Sequence, residues 1–246
     1  VENGKIDLLY LAPERLFQPQ FLEWARQQTW SMMAIDEAHC VSMWGHDFRP
    51  EYARIGELRG VFPDTPVLAL TATADQATRD DILTQLHMQN PTVLQSSYDR
   101  PNIFLEVRQG LDRTDQIIEF VRNRPDEAGI VYTRSRNGAE QVFKRLKAAG
   151  ISAGYYHAGL HAHEREQVSN AFFNDEIQVI CATVAFGMGI DKPDIRFVLH
   201  YNISNTVEDF YQKTGRAGRD GKPAHPLLFY TFADVARMRQ MLEQEG

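Results

Sequence analysis

The sequence is short of cysteine, of long apolar runs and of positive charge. Its two cysteines, Cys40 and Cys181, stand far apart with no CxxC spacing. That argues against a disulfide framework or a structural zinc site in this segment, and makes a reducing compartment the default. Apolar runs such as Val67–Leu70 fall far below the roughly 18 residues a membrane helix needs, and the N-terminus lacks the basic-then-apolar layout of a signal peptide. The expectation is a cytoplasmic protein with no membrane partner. Basic residues number 26 against 33 acidic, a net charge of −7, so no global positive field marks a nucleic-acid partner and only a local basic groove could serve one. A phosphate-cradling G-x-x-x-x-G-K-[ST] loop is also missing: Gly4-Lys5 runs into Ile6, and Gly221-Lys222 into Pro223.

What is present is enough for a globular core, with 43% hydrophobic and 24% charged residues in 246. Short β-rich runs alternate with amphipathic helical stretches, the pattern of parallel sheets covered by helices on both faces, so the class is α/β. The first part reads as strands over 6–11, 32–36 and 67–71, with helices over 19–28, 52–61 and 75–86. The polar stretch Tyr98-Asp-Arg-Pro-Asn102 breaks both periodicities and reads as a linker, which divides the chain into domains 1–100 and 101–246. Strands then recur over 103–108, 129–133, 152–156, 178–182, 197–200 and 227–230. Helices such as those over 114–122, 138–149, 164–174 and 206–213 lie between them. Six strands with five connecting helices would make a complete doubly wound domain.

The strongest local signal is Met32-Met-Ala-Ile-Asp36-Glu37-Ala-His39, an apolar strand running into two carboxylates. In an open parallel sheet ligands bind beyond the C-terminal strand ends, where this pair would fall. One carboxylate there can hold a hard divalent cation and the other can deprotonate a water. Thr71-Ala-Thr73 ends a later strand with hydroxyls able to reach Glu37 and His39. In Gln212-Lys-Thr-Gly-Arg216-Ala-Gly-Arg219 two arginines three apart offer fixed forks for phosphate oxygens. Thr183-Val-Ala-Phe-Gly187-Met-Gly189-Ile-Asp191 sets a G-x-G, which alone means little, two residues ahead of a carboxylate. After the acidic pair, Trp44 and Phe48 present faces on which unpaired bases stack at about 1–3 kcal/mol each, and Arg49 can pair with phosphate. Arg134 and Ser135 end a strand with phosphate-binding groups. His157, His161 and His163 invite a metal reading, but without a partner cysteine or paired carboxylates a solvated helix start suits them better.

These strings resemble the motif set of superfamily 2 DEAH helicases. The aromatic-rich loop Cys40–Pro50 and Tyr10-Leu-Ala-Pro-Glu-Arg-Leu16 resemble RecQ-family DNA helicases of the bacterial type. The resemblance runs from Tyr10 to Gly221 and implies two RecA-like domains, the first incomplete, with ATP and Mg²⁺ as cofactors. It implies that Asp36 holds Mg²⁺ through water, that Glu37 activates water, and that His39, Thr71 and Thr73 couple the sites. Gly189, Asp191 and Gln212 would lie on the nucleotide side, and Arg216 and Arg219 would meet the γ-phosphate. Trp44, Phe48, Arg49, Arg134, Ser135 and Thr183 would contact single-stranded DNA or duplex junctions. The implied activity is 3′-to-5′ unwinding in recombination and repair, in the bacterial cytoplasm and on the nucleoid.

Two alternatives stand beside it: an RNA-directed superfamily 2 helicase, and a nucleic-acid-binding segment without ATPase activity. The family's phosphate loop would precede Val1, and its cysteine-rich zinc module and winged helix would follow Gly246. Lys213 stands where relatives usually carry an acidic residue. The first domain, lacking a central strand, is expected to expose a sheet edge and to be less protected than residues from about 103 onward.

Overall fold

The computed structural model describes residues 7–43, 48–97, 99–187 and 190–245, with side chains to 240. The chain divides into two compact units, Val1–Ser96 and Ser97–Gly246.

The first unit runs α1 (Pro13–Leu16), α2 (Pro19–Ala25), β1 (Met33–Ile35), a 3-10 turn (Ala38–Val41), α3 (Pro50–Ala53), a second 3-10 turn (Arg54–Glu57), α4 (Leu58–Val61), β2 (Val67–Ala69) and α5 (Gln76–Gln85). Proline opens α1, α2 and α3, where its missing N–H has no intrahelical partner to lose. Asp75 caps α5 by accepting the Thr78 N–H at 2.8 Å, which holds its carboxyl below the usual range. β1 and β2 pair in parallel, Met33 opposite Val67 and Ile35 opposite Ala69. Ile35, Val41, Ile55, Leu58, Ile82 and Leu86 form the core beneath them.

Two expectations fail here. No strand forms over the described part of 6–11: Leu8 and Tyr10 are exposed and the segment pairs with neither β1 nor β2, so the described sheet has two strands rather than three. The single helix expected over 52–61 is broken into α3, a 3-10 turn and α4. At that break Gly56 packs so closely on α5 that an added Cβ would lie 2.0 Å from the Gln85 carbonyl oxygen.

The second unit runs β3 (Glu106–Gln109), α6 (Arg113–Arg122), β4 (Ala128–Tyr132), α7 (Arg136–Ala148), β5 (Ala153–Tyr156), α8 (Ala162–Phe173), β6 (Val179–Ala182), β7 (Ile195–His200), α9 (Val207–Thr214), β8 (His225–Tyr230) and α10 (Phe232–Glu245). Its six strands lie in the order β3-β8-β7-β4-β6-β5, all pairs parallel. Four described helices connect them, not five, because no described helix lies between β6 and β7, where the described residues form turns at 184–185 and 193–194. α10, unanticipated, follows β8. β3 starts later than expected, and Ile103 keeps an isolated bridge to Ala224.

Alternation along β4 supplies both faces of the sheet. Val131 joins Ile117, Leu146, Phe197 and Phe229 on one side, and Ile130 and Tyr132 join Phe172, Ile180 and Val198 on the other. Each such side chain contributes about 1.5–3 kcal/mol on burial. Gly129 is required by packing, since the Phe197 ring fills the space a Cβ would take, at 2.0–2.5 Å.

Candidate functional site

In the first unit the site forms where β1 and β2 end. Asp36 Oδ1 accepts the Glu37 N–H at 2.9 Å, and Glu37 adopts a left-handed conformation (φ 48°, ψ 44°) that turns the chain into the 3-10 segment. Leu70 N–H donates to the Ile35 carbonyl (2.9 Å) and Ala38 N–H to the Leu70 carbonyl (2.8 Å), locking the two strand ends together. Buried His39 is thereby held with Nδ1 3.1 Å from Thr71 Oγ1 and 3.4 Å from Glu37 Oε2. Thr71 Oγ1 accepts the Thr73 N–H at 3.2 Å. The structure thus gathers Asp36, Glu37, His39, Thr71 and Thr73, with Asp36 exposed and Glu37 half-exposed.

Among the described residues no group of three or more His, Cys, Asp or Glu side chains is gathered as a metal cage. A Mg²⁺ ion held through water by one or two carboxylates and completed by phosphate oxygens needs none, and exposed Asp36 suits that mode.

The loop after the acidic pair is tied at its base. Arg49 N–H donates to the Cys40 carbonyl (3.0 Å), and buried Ser42 donates to Asp81 Oδ2 on α5 (2.6 Å). Phe48 and Arg49 are exposed, and the Arg49 guanidinium lies 6.0 Å from the Tyr52 ring centroid. Burial raises the Tyr52 pKa, with smaller contributions from Cys40, Asp36 and Glu37 opposed by Arg49, so this ring feels the acidic pair. Trp44 lies outside the described residues.

In the second unit the candidate groups cluster at the C-terminal ends of β4, β6 and β7. Ser135 caps α7, accepting the Gly138 N–H at 3.0 Å. Exposed Arg134 donates its N–H to Asn202 Oδ1 (3.2 Å) and its guanidinium to the Ile203 carbonyl (3.2 Å). Thr183 is buried, its N–H bonded to the Tyr156 carbonyl at 3.2 Å.

Arg216 and Arg219 follow α9 on one loop. Arg219 Nη1 donates to the Ile190 carbonyl (2.7 Å) and lies 3.5 Å from the exposed Asp191 carboxylate. A Cβ on Gly187 would stand 3.3 Å from Arg216 Nη2, so the β6–β7 stretch and the arginine loop are in close register. Tyr132 donates its hydroxyl to the Phe186 carbonyl (2.8 Å). Burial pushes its pKa up and nearby Arg216 opposes this, so the phenol stays neutral. Half-buried Gln212 lies on α9, and Gly189 is outside the described residues. Lys213 pairs with Asp209 one turn earlier (2.5 Å) and sits 5.5 Å from the Tyr132 centroid, so its charge is met within its own helix.

Sequence reasoning overlooked the roles of Ser42 and His200, and it read Gly187 only as part of a G-x-G, not as the close neighbour of Arg216. His200 is buried with Nε2 3.1 Å from Thr214 Oγ1, and burial with Lys213 lowers its pKa to about 3. Of the three candidate metal histidines, His161 and His163 stand exposed at the start of α8, where Glu164 accepts the His161 N–H (2.8 Å). His157 is instead buried and lies 3.2 Å from Glu140.

Residues 1–82 match the model of the DEAD/DEAH box helicase family, and residues 112–221 that of the helicase conserved C-terminal domain. Among solved structures the fold is similar to Saccharomyces cerevisiae Dbp5 bound to RNA and ADP BeF3 (TM-score 0.67, 19% identity, 89% of this chain and 60% of that one). It is also similar to Mycobacterium smegmatis helicase Lhr bound to ssDNA and AMP-PNP (TM-score 0.68, 23% identity, 93% and 33%). Parallel-sheet units with an acidic strand tip in one and an arginine loop in the other define the DEAD/DEAH-box helicase class.

Among curated proteins the chain is 47% identical over 240 residues to ATP-dependent DNA helicase RecQ of Pasteurella multocida, covering 98% of this chain and 38% of that protein. For the proteins of the same name from Haemophilus influenzae and Bacillus subtilis the identities are 45% and 44%, with 39% and 42% of their lengths covered. The chain belongs to the RecQ family of helicases and spans about two-fifths of the length of these relatives.

Proposed function

We propose that the protein carrying this chain is an ATP-dependent DNA helicase that moves 3′ to 5′ along single-stranded DNA and opens duplex junctions during recombination and repair in the bacterial cytoplasm. The observation that carries the reading is the Glu37–His39–Thr71 arrangement, in which one buried imidazole joins a carboxylate at the end of β1 to a hydroxyl at the end of β2. The relatives' names and the nucleotide and nucleic-acid complexes of the structural neighbours support it.

Asp36 would hold Mg²⁺ through water, and the ion would supply charge neutralisation for the phosphates of the nucleotide. Glu37 orients the attacking water and takes its proton. His39 and Thr71, with Thr73 behind them, keep that carboxylate in place and carry its state toward the aromatic loop. Arg216 and Arg219 meet charge developing on the γ-phosphate, with Gly189, Asp191 and Gln212 on the nucleotide side. Trp44 and Phe48 stack on unpaired bases, while Arg49, Arg134, Ser135 and Thr183 hold phosphates.

The test is Glu37→Gln in the full-length protein. ATP turnover should fall by roughly 10²- to 10⁴-fold, the contribution of a positioned base, with single-stranded DNA binding kept. Wild-type turnover would overturn the assignment. Stronger stimulation of ATPase by single-stranded RNA than by DNA would move the substrate to RNA.

A further inference from the structure

The stretch that reads as a linker in the sequence does more than join the units. Arg100 and Asn102 flank Pro101 at the start of the second unit. Arg100 Nη2 donates to the carbonyls of Ala217 (3.2 Å) and Gly218 (2.8 Å). Asn102 Nδ2 donates to the carbonyls of Gly218 (2.8 Å) and Lys222 (2.9 Å). Ala217 and Gly218 are the two residues that separate Arg216 from Arg219.

The amide of Asn102 is oriented in turn. Arg100 Nε–H points to Asn102 Oδ1 at 3.4 Å, leaving both amide hydrogens for the carbonyls. Backbone bonds hold the same place, with Ala224 N–H on the Asn102 carbonyl and Phe104 N–H on the Ala224 carbonyl, both 2.9 Å. Gly218 has φ +59°, and a Cβ there would lie 2.6 Å from Asn102 Nδ2, so the amide fills the space glycine leaves. The loop is also held by Gly218 N–H to the Ile195 carbonyl (2.8 Å) and Asp220 N–H to the Pro193 carbonyl (3.2 Å). The backbone between the two arginines is therefore held by two separate segments of the chain.

We infer that Arg100 and Asn102 are positioning residues for Arg216 and Arg219, setting the spacing and direction of the two guanidinium groups. The inference rests on the reading of those arginines as γ-phosphate ligands. Neither Arg100 nor Asn102 touches nucleotide in this scheme. Loss of their donors lets the loop carbonyls drift and misplaces the arginines, and a shift near 1 Å at such a group costs roughly 10²-fold in rate.

The experiment uses the full-length protein with Arg100→Ala, Arg100→Lys and Asn102→Asp, the last replacing two donors by a carboxylate of equal size. Arg216→Ala runs in parallel. DNA-stimulated kcat should fall roughly 10- to 100-fold in Arg100→Ala and Asn102→Asp, with KM for ATP, nucleotide-free DNA affinity and Tm close to wild type. Arg100→Lys, which keeps a cationic donor, should recover part of kcat.

If Arg216→Ala is inactive while Arg100→Ala and Asn102→Asp turn over normally, the positioning role is overturned. Parallel loss of kcat, DNA affinity and Tm overturns it too, since that marks a merely structural part. Should Asn102→Asp fail to fold, the Arg100 pair decides. A fully active Arg216→Ala sinks the γ-phosphate reading instead.

Discussion

His39 and Thr71 stand 32 positions apart in sequence, yet the imidazole Nδ1 of one lies 3.1 Å from the hydroxyl of the other. The pairing of β1 with β2 brings them together, and the left-handed turn at Glu37 aims the imidazole. Thr71→Val keeps the shape and removes the hydroxyl. One hydrogen bond is worth about 0.5–1.5 kcal/mol, so DNA-stimulated ATPase of the full-length protein should fall about 2- to 10-fold. Unchanged stimulation would show that this contact carries no coupling.

Gly187 faces Arg216 across a gap with no room for a methyl group. A Cβ there would lie 2.8 Å from the Val184 carbonyl oxygen, a backbone atom that cannot swing aside. Gly187→Ala is expected to leave the protein folded and to lower turnover at least 10-fold by displacing Arg216. A steady-state ATPase rate equal to wild type would refute it.

Two glycines should respond with opposite sign. Gly129→Ala drives a methyl into the Phe197 ring and should destabilise the second unit by about 1–3 kcal/mol or more. Gly60→Ala, in α4 with nothing within 4 Å of the added carbon, should stabilise the first unit by about 0.5–1 kcal/mol. Denaturant midpoints for the two variants provide the check.

Stability should also fall with acid through His200. Its folded pKa, about 3, lies below the unfolded value of 6.5, so the unfolded chain binds the proton first. The contribution is complete above about pH 6.5 and declines by about 1.4 kcal/mol per pH unit as pH falls toward 3. His200→Asn should flatten the plot of unfolding free energy against pH over that window; an unchanged slope would remove His200 as its source.

Amide exchange should separate the units. The first has two described strands, with Leu68 in β2 and Leu70 just beyond it exposed, whereas β4 and β6 of the second are buried along almost their whole length. Residues 7–96 should therefore exchange before the strands of 128–200. Equal protection would contradict the assignment.

Much of this was legible in the sequence because it is local. The acidic pair at the end of an apolar strand, the arginine loop and most strands of the second unit carry their signal within a few adjacent residues. What was not legible depends on partners far along the chain. The apolar alternation of 6–11 resembles a strand, but pairing decides, and no described edge takes it. His200 is an ordinary strand-end histidine until Thr214 closes on it. Arg100 and Asn102 read as linker because Pro101 interrupts periodicity, while their bonds reach residues more than a hundred positions away. An arginine and an asparagine bracketing that proline were the one available hint.

At Glu37 backbone preference and chemistry oppose each other. With φ at 48° the residue occupies a region where a side chain costs about 1–2 kcal/mol and glycine costs little. Folding alone would favour an achiral residue at this turn. The carboxylate is thus held against the conformational preference of the chain, on a left-handed residue that the turn into the 3-10 segment requires.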